Sequence, residues 1–168
     1  MIQNVLNKIE YDESKIAVVV APVSIHIAGV KALLNKNINV GCQNMSQTGK
    51  GAFTGEISCV QLKDFDIEWV IIGHSERRTL YNETDEIVAA KAAQAQASGL
   101  NAMICIGELL EQRENGTTNE VLKGQLNGFK DAIKDWSKVV IAYEPVWAIG
   151  TGKTATPEIA QETHAYIR

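Results

Sequence analysis

Short runs of apolar residues, rich in valine and isoleucine, recur along the chain and are separated by segments of mixed polarity. None of these runs alternates apolar with polar positions, as a strand with one face in water would. The pattern therefore predicts strands buried on both faces, which is typical of a parallel sheet. The predicted strands are residues 16–20, 38–42, 69–72, 102–106 and 139–143.

Segments with helical patterns lie between the predicted strands. Ser24 is predicted to cap a first helix, and Thr84 a second helix that ends at Gly99. A third helix is predicted over residues 118–135, and Thr156 caps a fourth that begins with proline. The apolar face of the first helix is made of Ile27, Val30 and Leu34.

Strand, loop and helix repeat in this order along the whole chain. The repeat predicts right-handed crossovers between parallel strands, in either a doubly wound sheet or a β/α barrel. No low-complexity tract or linker interrupts the series, so residues 1–168 are predicted to form one domain.

The charge and the apolar runs together indicate a cytoplasmic globular protein. The net charge is −4 and the two signs are interspersed, so no basic stripe is available to follow nucleic acid. No apolar run approaches the roughly 18 residues that cross a bilayer, and the N-terminus lacks the pattern of a signal peptide. We therefore expect neither a nucleic-acid nor a membrane partner.

The three cysteines, Cys42, Cys59 and Cys105, form no C-x-x-C pair. We expect them to be buried, reduced thiols rather than redox or metal-binding groups. No H-E-x-x-H motif and no cysteine–histidine cluster with ligand spacing is present in the sequence, so no metal site is predicted.

Polar side chains are concentrated where the predicted strands end. The carboxyl ends of parallel strands meet at one edge of a sheet or one mouth of a barrel, where the active sites of such folds are built. The distribution therefore indicates an enzyme. The residues at these positions are Gln43, Asn44, His74, Ser75, Glu76, Glu108 and Glu144.

Glu144 and His74 carry the side chains with the clearest chemical use. Glu144 stands between an apolar strand and Pro145, where limited water makes a carboxylate a better base toward a carbon-bound proton. His74 precedes a predicted helix start, and the positive end of the helix dipole favours a neutral N–H donor there. A capping or salt-bridged glutamate and a structural histidine are the alternatives.

A long loop at residues 145–155 follows Glu144. Its Gly-Lys-Thr sequence resembles the end of a phosphate-binding P-loop, but Trp147 occupies a position where that motif requires glycine. The sequence at residues 73–77 likewise fails as a serine nucleophile motif, because Arg77 replaces its final glycine. Small residues and a length unusual for such a turn predict a lid that surrounds a phosphate, with a flexible connector as the alternative.

Motifs spread over the chain, taken together, resemble those of the triosephosphate isomerase family. They are Ala21-Pro22, Gln43-Asn44, Gly51-Ala52-Phe53-Thr54-Gly55-Glu56-Ile57-Ser58, Gly73-His74-Ser75-Glu76-Arg77-Arg78, Cys105-Ile106-Gly107-Glu108 and residues 143–155. The resemblance implies a parallel β/α barrel. It also implies a cofactor-independent isomerase of glycolysis and gluconeogenesis, which interconverts dihydroxyacetone phosphate and glyceraldehyde 3-phosphate through an enediolate.

The same resemblance implies roles for individual residues. Glu144 matches the base that shuttles a proton between adjacent carbons, and His74 matches the neutral electrophile that polarises the carbonyl. Residues 145–155 match the closing lid, in which Gly150 supplies an amide contact to the substrate phosphate. Glu76 matches a carboxylate buried beside the site. The positions that match supporting or lid-latching residues are Ser75, Glu108, Tyr143 and Trp147.

Residues 43–56 resemble the projecting loop through which the subunits of the family pair. Gln43 and Asn44 begin this loop, and Thr54 lies at its tip, which in the family approaches the active site of the partner. The resemblance therefore implies a homodimer for the complete protein.

The sequence departs from the family pattern at both ends. It begins after the first strand and its catalytic lysine and stops before the last two strands, so about five of eight strands are expected. Losing one well-placed donor costs on the order of 10²–10³-fold in rate, so we expect activity near background for the chain alone. Five strands also leave two sheet edges unpaired, so we expect poor solubility. The alternatives are a truncated product that acts as a non-catalytic binding or assembly partner, and another phosphosugar-binding barrel.

Overall fold

The chain folds around a parallel sheet of five strands in a computed structural model, which describes residues 1–149 and 152–168. The strands are β1 (Val18–Val20), β2 (Ile38–Cys42), β3 (Trp69–Ile72), β4 (Asn101–Ile106) and β5 (Val139–Tyr143). They lie in the sheet in the order of the sequence. A doubly wound sheet reverses its strand order at a switch point, whereas a β/α barrel keeps one order. The prediction of an incomplete parallel β/α barrel is therefore confirmed.

Helices connect the strands and cover the sheet. They are α1 (Ile27–Leu33), α2 (Cys59–Asp64), α3 (Ser75–Leu80), α4 (Asp85–Ala97), α5 (Leu110–Glu114), α6 (Thr118–Lys130) and α7 (Pro157–Ile167). Short 3-10 turns lie at Leu6–Lys8, Ser24–His26, Trp136–Lys138 and Val146–Ala148. In the described ranges, no helix has both the length and the apolar character needed to cross a membrane.

The core lies between the sheet and the helices α4 and α6. Val70 of β3 and Ile104 of β4 have no exposed surface. Helix α4 adds Val88 to this core, and α6 adds Leu122 and Phe129, which are also fully buried. Burying a side chain of this size contributes roughly 1.5–3 kcal/mol, so these contacts fix the strands against the two helices.

The predicted helix starts are confirmed at Thr84 and Thr156 and wrong at Ser24. The Thr84 hydroxyl accepts a hydrogen bond from the Ile87 amide at 3.5 Å, and the Thr156 hydroxyl accepts one from the Ile159 amide at 3.3 Å. Ser24 instead begins a 3-10 turn, and no side chain caps α1. Because this tighter turn comes first, α1 begins later than the sequence predicts. The apolar face predicted for the first helix does pack on the core, through Ile27, Val30 and Leu34.

Strand β1 and helix α6 are shorter than the sequence predicts. The Ile16 amide donates to the Asp12 carbonyl at 2.9 Å, and this turn leaves Ile16 half-exposed and outside β1. Helix α6 ends at Lys130. The amides of residues 134–135 donate to the side-chain oxygen of Gln96, and they are therefore not used in a longer helix. Strand β4, by contrast, begins one residue earlier than predicted.

The three cysteines are buried and free of disulfide bonds, as the sequence predicts. Burial raises the pKa of the Cys42 thiol. Burial also raises the pKa of Cys105 to about 12, and the nearby negative charge of Glu144 acts in the same direction. Both thiols therefore remain protonated at neutral pH and behave as small apolar side chains.

Alkaline conditions are expected to destabilise the fold through Cys105. Its pKa is about 12 in the folded chain against an ordinary value of 9.0, so the unfolded state loses its proton first as the pH rises. Between these two values the folded state binds more protons, and the free energy of unfolding therefore falls with increasing pH.

Urea unfolding at several pH values above about 9 measures this slope. Cys105→Ala should make the fall shallower. Val70→Ala, which removes methyl groups from another buried side chain but no titratable group, should lower the stability and leave the slope unchanged. Equal slopes for Cys105→Ala and the unmodified chain would contradict the prediction.

Candidate active site

The carboxyl ends of β3 and β5 deliver His74 and Glu144 to the same edge of the sheet. Gly73 follows β3 with a φ of +69°, a left-handed conformation that favours glycine, and His74 comes next. Glu144 directly follows β5, and its amide donates to the Ile106 carbonyl of β4 at 2.8 Å. The backbone of Glu144 is therefore hydrogen-bonded to the end of the neighbouring strand β4.

His74 and Glu144 are in direct contact. The Nε2 atom of His74 lies 3.1 Å from Oε1 of Glu144, and the Ser75 backbone N–H donates to Oε2 of Glu144 at 3.3 Å. The His74 side chain is 34% exposed and the Glu144 side chain 21% exposed. The carboxylate is thus held by two donors, while both side chains remain within reach of a small molecule.

The hydrogen bonds of His74 assign its tautomer. The Glu76 backbone N–H donates to Nδ1 of His74 at 3.3 Å, so Nδ1 acts as an acceptor without a proton. The Glu76 carboxylate is 3.7 Å from the same nitrogen, too far for a hydrogen bond. Nε2 then carries the ring proton and directs it toward Glu144. This arrangement is that of a neutral imidazole, which presents one N–H group at the mouth of the sheet.

A fully buried carboxylate, Glu108, follows β4. Its Oε1 atom accepts hydrogen bonds from the Tyr143 hydroxyl at 3.0 Å and from the Trp147 indole N–H at 2.9 Å. The Arg113 guanidinium lies 3.8 Å from the same oxygen. Burial is the main cause that raises the pKa of Tyr143 to about 12, so its hydroxyl stays a donor. Glu108 thereby joins the end of β4 to the end of β5 and to the turn Val146–Ala148.

A sequence profile of triosephosphate isomerase matches residues 1–168. The chain belongs to the triosephosphate isomerase family. It is 56% identical over 156 residues to "Triosephosphate isomerase, chloroplastic" of Secale cereale. The aligned part is 93% of this chain and 52% of that protein, so the chain spans about half the length of the curated relative it matches.

The residues that are predicted to support the site are placed in different ways. Ser75 contributes its backbone N–H group to the site. The side chain of Glu76 is 72% exposed in this chain, and its burial beside the complete site stays a prediction. Glu76 stands in the first turn of α3, whose start faces the open mouth of the sheet. Gly150 lies outside the described residues, and its phosphate contact stays a prediction.

The loop that follows β2 is anchored at its start and exposed at its predicted tip. The Gln43 side chain donates to the Ala21 carbonyl at 3.0 Å, and the Asn44 side-chain oxygen accepts from Lys91 at 2.7 Å. Thr54 is exposed. A cleft of about 490 Å³ opens between the start of this loop and α3, and its lining residues are Gln43, Asn44, Ile71, His74, Glu76, Arg77, Leu80 and Tyr81.

Sequence reasoning missed a buried ion cluster beside Asn44. Lys91, only 4% exposed, lies 2.5 Å from the carboxylate of Glu83, which also accepts from Arg77 at 2.8 Å. Burial is the main cause that lowers the pKa of Lys91, and Glu83 opposes it. The available signal in the sequence was Lys91 itself, since a lysine on a helix face that packs on the core requires a partner of opposite charge. Like the rest of the described chain, this region has no group of three His, Cys, Asp or Glu residues that could hold a metal ion.

Proposed function

We propose that the full-length protein, in which these residues are joined by the remaining strands of a barrel, interconverts dihydroxyacetone phosphate and glyceraldehyde 3-phosphate without a cofactor. The observation that carries the proposal is the 3.1 Å contact between Nε2 of His74 and Oε1 of Glu144 at the mouth of the sheet. Membership of the family supports this reaction, because the two residues match its electrophile and its base.

Glu144 acts as the general base. Its carboxylate removes a proton from the carbon next to the substrate carbonyl, and the resulting acid returns the proton to the neighbouring carbon. Proton transfer by a positioned side chain contributes about 10²–10⁴-fold in rate. The hydrogen bond from the Ser75 amide and the partial exposure of Glu144 support this role, since the carboxylate is held in place and can still be reached.

His74 stabilises the oxygen on which negative charge develops. Its Nε2–H group turns from Glu144 to the substrate oxygen, polarises the carbonyl and then donates to the enediolate. A preorganised donor of this kind stabilises charge in the transition state without reorganisation of solvent. The bond from the Glu76 amide to Nδ1 supports the assignment, because it fixes both the orientation and the tautomer of the ring.

Residues 145–155 form the lid, and Gly150 contributes its amide to the substrate phosphate. Closing a lid excludes water and strengthens the electrostatic interactions inside a site. The hydrogen bond between Trp147 and Glu108 supports this role, because it ties the start of the lid to a fully buried carboxylate at the end of β4. Tyr143 donates to the same oxygen and completes this anchor.

The full-length protein forms a homodimer through residues 43–56. Thr54 is the part of this loop that approaches the active site of the partner subunit. The cleft beside His74 supports the proposal, because Leu80 is 69% exposed there and Tyr81 62% exposed, and a second copy would cover both.

The cellular setting of the reaction is also part of the proposal. We assign the enzyme to glycolysis and gluconeogenesis in the cytoplasm. The name of the rye relative assigns that protein to the chloroplast. Fractionation of cells with an antibody to this chain distinguishes the two compartments.

A coupled assay in both directions tests the function. The full-length protein, with no cofactor added, should convert each triose phosphate into the other and should incorporate deuterium from D₂O at the carbon that Glu144 deprotonates. The 168-residue chain alone should remain near background. Failure of the full-length protein to isomerise either substrate would contradict the proposal. A message that encodes no further strands would instead favour the non-catalytic product.

A further inference from the structure

A glutamine on α6 holds the backbone at the end of β4. The side-chain oxygen of Gln125 accepts from the Gly107 amide at 2.9 Å, and its side-chain nitrogen donates to the Gly107 carbonyl at 3.0 Å. Gln125 is half-buried on the face of α6 that also buries Leu122 and Phe129. One side chain therefore satisfies both backbone polar groups of one glycine, across the gap between helix and sheet.

Gly107 in turn lies directly against the backbone of Glu144. A methyl group added to Gly107 would overlap the carbonyl oxygen of Glu144 and lie 2.9 Å from its carbonyl carbon. The Glu144 amide also donates to the Ile106 carbonyl at 2.8 Å. The peptide that carries the Glu144 side chain is thus in contact with the segment that Gln125 holds, and it follows any displacement of Gly107.

We propose that Gln125 is a positioning residue for the isomerisation, because by holding Gly107 it sets where the carboxylate of Glu144 stands. The inference rests on the proposed function. Gln125 acts through the Gly107 backbone and has no contact with Glu144 among the hydrogen bonds of the described residues. A misplacement of about 1 Å at a reacting group costs on the order of 10²-fold in rate. Loss of the two hydrogen bonds should therefore affect proton transfer as well as stability.

The chain offers a matched control in Gln96 of α4. Its side-chain oxygen accepts from the Asp135 amide at 2.9 Å and from the Lys134 amide at 3.2 Å, and its side-chain nitrogen donates to the Asp135 carbonyl at 3.1 Å. This second clamp has the same geometry but lies before β5, at the opposite end of the strand from Glu144. Methionine has nearly the volume of glutamine and forms none of these hydrogen bonds. Gln96→Met therefore removes the same two kinds of hydrogen bond as Gln125→Met, and one more, at the opposite end of β5.

Steady-state kinetics of the full-length protein separate the two clamps. Gln125→Met should lower kcat by about 10- to 100-fold with little change in KM, because the substrate still binds and the base is misplaced. The primary isotope effect with carbon-deuterated substrate should rise, because proton abstraction becomes slower than the other steps. Gln96→Met, which loses three hydrogen bonds, should lose at least as much stability to urea and keep kcat within about twofold of the unmodified protein.

A double substitution tests whether the effect passes through the base. Glu144→Asp already withdraws the carboxylate, so adding Gln125→Met should lower kcat by less than about threefold further. Hydrogen exchange provides a measurement that needs no activity. The Gly107 and Glu144 amides should exchange faster in Gln125→Met than in the unmodified protein, and their exchange rates should not change in Gln96→Met. If Gln125→Met does not fold, Gln125→Ala takes its place in all these measurements.

The outcomes distinguish this inference from the function on which it rests. Absence of isomerase activity in the unmodified full-length protein overturns both. Normal activity in that protein, with Gln125→Met behaving as Gln96→Met in kcat and in the isotope effect, overturns the positioning role alone. Effects of Gln125→Met and Glu144→Asp that multiply fully also overturn it, since they show that the two residues act independently.

Discussion

Replacing Glu144 by glutamine is expected to lower kcat of the full-length protein by about 10²–10⁴-fold. The amide has the size of the carboxylate, and its oxygen can still accept the hydrogen bond from His74 or from the Ser75 amide. It cannot accept the carbon-bound proton. KM should therefore change far less than kcat, and both are measured in the coupled assay in each direction.

A second glutamate-to-glutamine change serves as the control for this experiment. Glu162 is exposed on α7, and Glu162→Gln should leave kcat within about twofold of the unmodified value. Exchange of the substrate proton with D₂O should slow in Glu144→Gln to the same extent as turnover. A Glu144→Gln enzyme that kept more than about a tenth of the normal kcat would rule out Glu144 as the base.

Replacing Glu83 by leucine is expected to lower the free energy of unfolding by about 3–5 kcal/mol. Glu83 is the only carboxylate whose contacts with both Lys91 and Arg77 appear among the described ion pairs. Its removal leaves the Lys91 ammonium buried without an adjacent carboxylate, although the Asn44 side-chain oxygen still accepts a hydrogen bond from it. The positive charge of Arg77 disfavours the ammonium, and the charge of Glu56 favours it. Urea unfolding of the unmodified chain and of the variant at pH 7 measures the difference.

The pH dependence of stability tests whether buried Lys91 causes the loss of stability in Glu83→Leu. Burial already lowers the pKa of Lys91 from its ordinary value of 10.5, and loss of Glu83 should lower it further. In the interval between the lowered and the ordinary value the unfolded chain binds more protons, so stability rises with pH. The difference in the free energy of unfolding between the unmodified chain and Glu83→Leu should therefore become smaller as the pH rises from about 7 to 10.

Two further variants complete this experiment. Glu83→Leu combined with Lys91→Met replaces the ion pair by apolar side chains and should recover most of the lost stability. Lys15→Met breaks an exposed ion pair with Asp12 and should have little effect. If Glu83→Leu lost as little stability as Lys15→Met, or if its loss did not depend on pH, an unpaired buried Lys91 would not be the cause.

Much of this fold is predictable because its strands coincide with short runs rich in valine and isoleucine. The strands predicted at Ile38–Cys42 and Val139–Tyr143 are confirmed to the residue. Strand β2 is mostly buried, whereas β5 is only partly buried and leaves Val140 47% exposed. The same logic placed His74 and Glu144 at one mouth, and the structure brings them into contact. Their catalytic roles stay proposals that rest on family resemblance and geometry.

The predictions fail where contacts between residues distant in the sequence determine the end of a helix or the burial of a side chain. The end of α6 depends on the Gln96 side chain, which competes for amides that a longer helix would have used. Helix α4 is rich in alanine, and its weak contrast between faces concealed that Lys91 points into the core.

The constant strand order has a consequence for how this half-barrel forms. Every strand pairs with the strand nearest to it in the sequence, so Val18 meets Ile38 across 20 residues and Ile104 meets Ile141 across 37. Doubling a loop raises its closure entropy by only about 0.6 kcal/mol, so the four pairings are nearly equal in entropic cost. During synthesis each new strand finds its neighbour already made, and assembly can advance strand by strand from the N-terminus at the pace of the ribosome.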